Sequence, residues 1–361
     1  MDIDLSTEEG KKFFQGLQKV LVLAFILFES LVYVLMKGLE ATPGMAPLVI
    51  VQLCVGGLLI MFMDEVTQKW GFGSGVSLFI AAGVGWRLVA SMFQFINTQG
   101  GFEASGKVLV LISSLMNSDP TGAAKAFFAI AVTAIIFLAV VWAQSLKVEI
   151  PLSFDRIRGY SVRWPLQFFY ASNMPVILVS ALAANLQLFA SLIENWLGHA
   201  TFLGSFQNGT PVSGFAFWIN STPLLDLLIT GSFKIVYLFQ ALGHLVFYIA
   251  FSIIFAIFWV NTSNMSASNQ AENIMKSGLQ IPGFRKDKRV IEAILSRYIM
   301  PLTIMGGAAV GILAASADLL GALVGGTSIL LSVMIVYQFY QNIAQQHAVD
   351  MNPALRGFFG G

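Results

Sequence analysis

Three glycines within five residues precede an apolar stretch in WGFGSGVSLFIAAGV, residues 70–84 of the chain. These glycines are Gly71, Gly73 and Gly75. A glycine-rich loop that leads into a helix can bind phosphate through its exposed backbone N–H groups. Here the spacing is G-x-G-x-G rather than the G-x-G-x-x-G of dinucleotide-binding folds, and the loop follows an apolar helical stretch instead of a β-strand. We therefore expect a tight turn and close helix packing at a membrane boundary, and no nucleotide site.

Other residues that could do chemistry are few and scattered. The three histidines do not form the HExxH pattern of a zinc protease, and the one cysteine, Cys54, excludes an intrachain disulfide and a cysteine-based metal cluster. The sequence also contains no P-loop pattern and no nucleophilic serine elbow. We predict no cofactor, no metal and no enzymatic activity. We expect His244, which lies inside an apolar stretch, to be a packed, hydrogen-bonded residue.

The composition is that of a membrane protein. Hydrophobic residues make up 57% of the 361 residues and charged residues 11%, compared with about 25% charged residues in ordinary soluble domains. The formal net charge of +1 gives no indication of a nucleic-acid or acidic partner. Because a helix of about 17–25 apolar residues crosses a bilayer, the apolar stretches predict eight spans. They are Leu17–Met36, Pro47–Met63, Ser74–Ile96, Phe127–Leu146, Met174–Leu192, Ile235–Val260, Pro301–Leu323 and Thr327–Ile343.

Positive charge is concentrated in two of the segments that connect the spans, residues 147–170 and residues 262–298. The segment between the fifth and sixth spans, Leu197–Lys234, has Lys234 as its one strongly basic residue. Cytoplasmic loops of membrane proteins carry the excess of Lys and Arg. We therefore predict that both basic loops and both chain termini are cytoplasmic, and that residues 197–234 lie outside.

Polar side chains inside the predicted spans are candidates for function, because they are costly in lipid and usually face a cavity or a partner. Glu29 lies in the first span and Asn185 near the middle of the fifth. Either residue alone could instead form a hydrogen bond between helices. Arg87 lies toward the outer end of the third span and has no assigned role.

The sequence leaves two classes of function to consider at this point. A secondary transporter of a small solute would need a binding site near the middle of the membrane, and Glu29 and Asn185 are the leading candidates for it. We keep this transporter as the alternative function. An intramembrane enzyme would need a catalytic pair within the bilayer, and the predicted spans contain no such pair.

Five segments of the sequence, in their order and spacing, resemble the SecY family of protein-conducting channel subunits, and its archaeal branch in particular. The segments are DEVTQKWGFGSGVSLFIAAGV, VEIPLSFDRIRG, ASNMPVILVSALAANLQ, IPGFRKDKR and ADLLGALVGGTSILLSVMIVYQFYQ. The resemblance covers essentially the whole chain. It implies an all-α polytopic membrane protein, a helical bundle of two pseudo-symmetric inverted halves.

The resemblance implies that eight of the family's ten spans are present. The basic loops follow the sixth and eighth spans in the family but the fourth and sixth predicted spans here. We therefore expect the family's first two spans and its plug helix to be absent from this sequence. Residues 1–124 would form the remainder of the N-terminal half with three spans, and residues 125–361 the C-terminal half with five.

The resemblance also implies roles for individual residues. Family members form an hourglass-shaped channel whose waist is a ring of aliphatic side chains, and such a constriction excludes ions by dewetting. A lateral gate opens the channel toward lipid, and basic loops provide the docking surface for the ribosome through its phosphates. The matching positions are Val76, Ile80, Met174, Ile177 and Leu331 in the ring, Glu29 and Asn185 in the gate, and Arg156, Arg158, Arg163, Arg285, Lys286, Lys288 and Arg289 in the docking loops.

The function implied by the resemblance is that of the central pore subunit of the Sec protein translocase in the plasma membrane. Such a subunit conducts secretory polypeptides across the membrane and releases transmembrane segments sideways into lipid. The implied partners are small SecE/gamma-like and beta-type subunits, the ribosome, the nascent polypeptide and the lipid bilayer. The energy for transport would come from the ribosome or another partner.

Overall fold

The computed structural model describes residues 8–35, 39, 42, 44–71, 74–95, 105–154, 161–207, 209–276, 279–280 and 287–351. Within these ranges the chain forms twelve helices and five short strands. The helices are α1 (Glu8–Leu35), α2 (Ala46–Trp70), α3 (Gly75–Phe93), α4 (Lys107–Met116), α5 (Pro120–Ser145), α6 (Met174–Leu197), α7 (Gly214–Ile219), α8 (Leu224–Ile229), α9 (Ile235–Thr262), α10 (Ala267–Lys276), α11 (Lys288–Leu319) and α12 (Gly326–Met351). The strands are β1 (Lys147–Phe154), β2 (Ser161–Gln167), β3 (Ser205–Gln207), β4 (Thr210–Ser213) and β5 (Leu279–Gln280).

Seven helices in the described ranges are long and apolar enough to cross a bilayer, and they correspond to the first seven predicted spans. They are α1, α2, α3, α5, α6, α9 and α11. The eighth predicted span, Thr327–Ile343, lies within α12. The second half of α12 contains Gln338, Gln341 and Asn342, which lower its hydropathy. The crossing of the membrane by α12 therefore stays a prediction.

Three helices begin well before the starts that the apolar pattern indicates. α1 begins at Glu8 instead of Leu17, and α5 and α11 also begin early. α5 begins at Pro120 instead of Phe127, because the carboxylate of Asp119 accepts a hydrogen bond from the N–H of Thr121 and caps the helix. α11 begins at Lys288, capped in the same way by Asp287. Pro301, predicted as the start of the seventh span, therefore lies inside α11.

The chain divides into two compact units, Met1–Phe79 and Ile80–Gly361. In the first unit α1 and α2 pack as an antiparallel pair. The Nζ atom of Lys19 lies 2.8 Å from the carboxylate of Glu65, and Ile26 fills the space beside Gly57. The predicted halves, 1–124 and 125–361, are defined by an internal repeat rather than by packing, and they stay a prediction.

The second unit is built around a close pair of helices, α9 and α11. A Cβ atom on Gly311 of α11 would lie 2.7 Å from the carbonyl oxygen of Tyr248 in α9, so the two backbones are in contact. Small residues permit such approach in membrane helices, where dispersion contacts replace the hydrophobic drive between helices. α5, α6 and α12 complete an apolar core in which Val140, Val179 and Leu330 have no exposed surface.

The described residues of the two predicted basic loops form one structure. β1 pairs with β2 in an antiparallel register that sets Lys147 opposite Gln167, and β1 also pairs with β5, with Ser153 opposite Gln280. The three strands therefore join residues of both loops in one sheet. A second apolar core lies in the same region and includes Ile150, Leu166, Ile274, Ile291 and Leu295.

Candidate pore, gate and docking surfaces

The N-terminus of α3 is bound by a carboxylate from α2. One oxygen of Asp64 accepts hydrogen bonds from the Val76 N–H at 2.9 Å and from the Ser74 hydroxyl at 3.2 Å. The other oxygen accepts a hydrogen bond from the Gln68 amide at 2.7 Å. Helix N-termini carry unsatisfied N–H groups and a partial positive charge, and both favour an anion there. The position that a phosphate would need is therefore occupied by the chain itself.

The glycines before α3 permit close approach to α2. A Cβ atom on Gly75 would lie 2.9 Å from the Cα atom of Asp64 and 2.5 Å from the Thr67 hydroxyl. The N–H of Gly71 donates to the carbonyl oxygen of Thr67 at 2.8 Å and ends α2. Gly73 lies outside the described residues. The predicted close helix packing is confirmed at Gly75.

The residues predicted to form the pore ring lie on three helices. Val76 and Ile80 are one turn apart on α3, and Val76 is 41% exposed while Ile80 is half-buried. Ile80, Ile177 of α6 and Leu331 of α12 belong to the same apolar cluster of the second unit. Met174, the first residue of α6, is half-buried.

α12, which carries Leu331, begins in the same manner as α3. The carboxylate of Asp318 in α11 accepts a hydrogen bond from the Gly326 N–H at 2.6 Å. A Cβ atom on Gly326 would collide with the carbonyl oxygen of Ala314. Two of the three helices that carry predicted ring residues thus start at a glycine that packs on the preceding helix, and each is held by an aspartate of that helix.

The sequence patterns did not identify Asp64 and Asp318 as residues that bind the starts of α3 and α12, although both lie near the end of an apolar stretch. Each aspartate lies 8–12 residues before the backbone N–H group that it binds. One sequence signal could have found both aspartates. It is an acidic residue near the end of an apolar stretch, followed by a glycine turn and a second apolar stretch.

The prediction for His244 is confirmed. Its side chain is buried, and its Nδ1 atom lies 2.5 Å from the carbonyl oxygen of Ile219. Its Nε2 atom lies 3.8 Å from the Asp318 carboxylate. His244 therefore joins α7, α9 and α11 near the start of α12. Among the described residues, no group of His, Cys, Asp and Glu could hold a metal ion.

The two predicted gate residues are both on helix surfaces. Glu29 is exposed on α1, in the first compact unit, and Asn185 is exposed on α6, in the second. Their role in a gate stays a prediction.

The predicted docking residues that the structure describes lie around the three-stranded sheet. Arg163 of β2 pairs with Glu149 of β1 at 2.9 Å. Lys288, at the start of α11, pairs with Glu272 of α10 at 3.0 Å, and Arg289 is exposed beside it. The remaining predicted docking residues, Arg156, Arg158, Arg285 and Lys286, lie outside the described residues.

A buried tyrosine connects the end of this sheet to the segment after α9. The Tyr170 hydroxyl donates a hydrogen bond of 2.7 Å to the carbonyl oxygen of Met265. Burial raises the pKa of Tyr170 to about 12, so the phenol stays protonated and remains a donor at physiological pH. This bond joins the two basic segments near Gln167, at the end of β2. The pairing of β1 with β5 joins them at Ser153, toward the other end of β1.

Comparisons with known proteins agree with this arrangement. The SecY family model matches residues 1–340. The protein translocase subunit SecY of Methanothermobacter thermautotrophicus is 44% identical over 367 residues, which cover 100% of this chain and 78% of that protein. A solved structure described as that of a protein conducting channel has a TM-score of 0.81 and 35% identity, and covers 98% of this chain and 78% of the other.

The similarity extends to a eukaryotic channel. Sec61 in the canine ribosome-channel complex from the endoplasmic reticulum has a TM-score of 0.78 and 34% identity, over 98% of this chain and 78% of that one. The chain therefore belongs to the SecY family, as a multi-pass membrane protein translocase subunit with the fold of the protein-conducting channel.

Proposed function

We propose that this chain forms the central pore through which unfolded secretory polypeptides cross the plasma membrane. The observation that carries the proposal is the shared apolar cluster of Ile80, Ile177 and Leu331, which come from α3, α6 and α12. Aliphatic side chains that three helices contribute to one apolar cluster suit a water-free constriction, and such a constriction excludes ions. They also offer no fixed hydrogen bonds to a passing chain, so a polypeptide can slide through.

The sideways release of transmembrane segments into lipid is assigned to a gate that includes Glu29 and Asn185. Polar groups along a helix seam make the closed seam less favourable than apolar contact would, because polar groups in hydrocarbon lack partners. A sufficiently hydrophobic segment can then part the helices and enter the lipid. A secondary transporter is not retained, since membership of the SecY family accounts for the fold and the sequence together.

The basic residues around the three-stranded sheet are assigned to docking of the ribosome. Phosphate binding by Lys and Arg releases counterions, so this docking should weaken with salt. The sheet supports the assignment, because it joins both basic segments in one surface. The canine Sec61 relative belongs to a ribosome-channel complex. On this proposal the sheet, both basic loops and both chain termini face the cytoplasm.

The chain is proposed to act as a conduit and not as an enzyme. Small SecE/gamma-like and beta-type subunits complete the complex, and the ribosome or another partner supplies the energy. The ring residues are aliphatic or thioether side chains without acid, base or nucleophile chemistry, which suits a seal.

Crosslinking of an arrested secretory chain tests the pore. Cysteine is placed at Ile80 or Ile177 in a protein whose native Cys54 is replaced by alanine, and the small partner subunits are co-expressed. The same variants are also made in a fusion protein in which the first two transmembrane spans of the archaeal relative precede this sequence. Leu138, which is 64% exposed on α5, gives the matched control position for cysteine. We expect the arrested chain to crosslink at positions 80 and 177 and not at position 138.

A lack of crosslinks at both ring positions, in both forms of the protein, would contradict the proposal. Equal crosslinking at position 138 would do the same, because the arrested chain would then contact the outside of the bundle.

A further inference from the structure

The connection between α6 and α9 presents two large aromatic side chains to the surroundings of the bundle. Trp196, at the end of α6, is 86% exposed, and Phe202, in the turn before β3, is 87% exposed. Two such side chains only a few residues apart need an apolar environment, because each buries a large apolar area when it finds a partner.

The turn that carries Phe202 is well ordered by its own hydrogen bonds. The carbonyl oxygen of Phe202 accepts a hydrogen bond from the Phe215 N–H at 3.1 Å, and that of Leu203 accepts one from the Ala216 N–H at 2.8 Å. Gly214 has a φ of +76°, and a Cβ atom there would lie 2.6 Å from the Cα atom of Gly204. The backbone of residues 202–204 is therefore held against residues 214–216, and the Phe202 ring is exposed on this fixed turn.

Glu194 fixes the depth of this region relative to the bilayer. Its carboxylate accepts a hydrogen bond of 2.8 Å from the Phe206 N–H, which ties β3 to the last turn of α6. A carboxylate is costly in the hydrocarbon core, so Glu194 marks where α6 leaves that core. Trp196 follows two residues later, which is about 3 Å along a helix. Trp196 is therefore expected near the headgroup level, and the bond between Phe206 and Glu194 keeps the turn that carries Phe202 at the same end of α6.

We propose that Trp196 and Phe202 insert into the lipid headgroup region and anchor this end of α6 at a fixed depth. Trp rings are enriched at that level of membranes, and Phe is one of the residues that interfacial segments bury in the boundary between headgroups and acyl chains. Continuity with a membrane-crossing helix identifies the lipid as the occupant, since the bilayer around α6 ends beside these side chains. The proposal needs only that α6 spans the bilayer; that this is the outer surface rests on the proposed function.

Lipid-dependent quenching of a fluorescent label tests the anchor. Phe202→Cys, in the Cys54→Ala protein, is labelled with the environment-sensitive dye NBD and reconstituted in vesicles of phosphatidylcholine and phosphatidylglycerol. Thr210→Cys at the start of β4, which is exposed, is the matched control. We expect blue-shifted emission at position 202, stronger quenching by a nitroxide at acyl carbon 5 than at carbon 12, and weak quenching by aqueous iodide. At position 210 we expect iodide to quench strongly.

Three outcomes would overturn the anchor. Iodide quenching at position 202 equal to that at 210 would place the ring in water. Protection from both iodide and lipid nitroxides would place it against a protein, either a second copy or a partner. Stronger quenching by the deep nitroxide would place it in the hydrocarbon core.

A second labelled variant guards against an effect of replacing Phe202 itself. Trp196→Cys retains Phe202 and should give the same shallow quenching. Crosslinking of an arrested chain in the unlabelled Ile80→Cys protein, measured in parallel, separates a failure of the anchor from a failure of the pore.

Discussion

Replacing Asp64 by alanine should loosen the start of α3 without unfolding the rest of the protein. The Asp64 carboxylate binds the Val76 N–H and the Ser74 hydroxyl. Alanine removes both bonds and leaves the Val76 N–H without this acceptor. Ser74 and Val76 lie directly at the turn between α2 and α3, so the effect should stay near residues 74–80.

The size of the effect follows from the energetics of helix capping. Loss of a side chain that caps a helix N-terminus costs about 0.5–2 kcal/mol. If that cost appears as easier local opening, amide hydrogen exchange accelerates by roughly 2- to 30-fold. Asp64→Asn keeps an oxygen acceptor but loses the negative charge near the positive end of the helix dipole, so its acceleration should be smaller.

Hydrogen exchange followed by mass spectrometry of the complex in detergent measures the prediction. Peptides that cover residues 74–80 should exchange faster in Asp64→Ala, while peptides from the middle of α5 should not change. Asp119→Ala is the matched control, because Asp119 caps α5 through the N–H of Thr121. That variant should accelerate exchange at the start of α5 alone.

Unchanged exchange at residues 74–80 in Asp64→Ala, in an experiment where Asp119→Ala does accelerate exchange at α5, would refute the capping role. A uniform acceleration over all helices would refute its local character.

Two further substitutions test the packing of the second unit. Gly311→Ala should lower the melting temperature in detergent, because overpacking against the Tyr248 carbonyl costs about 1–3 kcal/mol. This cost exceeds the roughly 1 kcal/mol that alanine gains over glycine in a helix. Gly85 has open space around it, so the control variant Gly85→Ala should not lower the melting temperature. Tyr170→Phe removes the hydrogen bond to Met265 and should cost about 1 kcal/mol. The loss is measured as faster amide hydrogen exchange in the segment after α9. An unchanged exchange rate in that segment would show that the hydrogen bond does not hold it.

The helices could be predicted from the sequence because their signal is local. An apolar stretch of sufficient length has one stable state in a bilayer, a helix with its backbone groups paired internally. The ends were less predictable. The Asp119 and Asp287 caps extend α5 and α11 beyond the apolar residues, so hydropathy alone placed both starts too late.

The sheet in the basic segments could not be predicted in the same way. Ser153 pairs with Gln280, and no local pattern indicates which distant residues share a strand register. The basic residues themselves were visible as charge, but their common surface depends on that pairing. Likewise, the exposed rings of Trp196 and Phe202 look like ordinary apolar residues in the sequence, and only the ordered turn reveals that they project.

The starts of α3 and α12 explain how an apolar ring can be held at one depth. Hydrophobic contact is not directional, so the aliphatic side chains of the proposed ring cannot by themselves fix their depth along the membrane normal. The hydrogen bonds from Asp64 and Asp318 are directional, and each joins a ring-bearing helix to the helix before it. Val76 donates one of these bonds itself, and Leu331 lies five residues after Gly326, about 7.5 Å along the helix. Hydrogen bonds at the helix starts can therefore set the position of the proposed ring, while its side chains stay apolar and do not hold a moving chain.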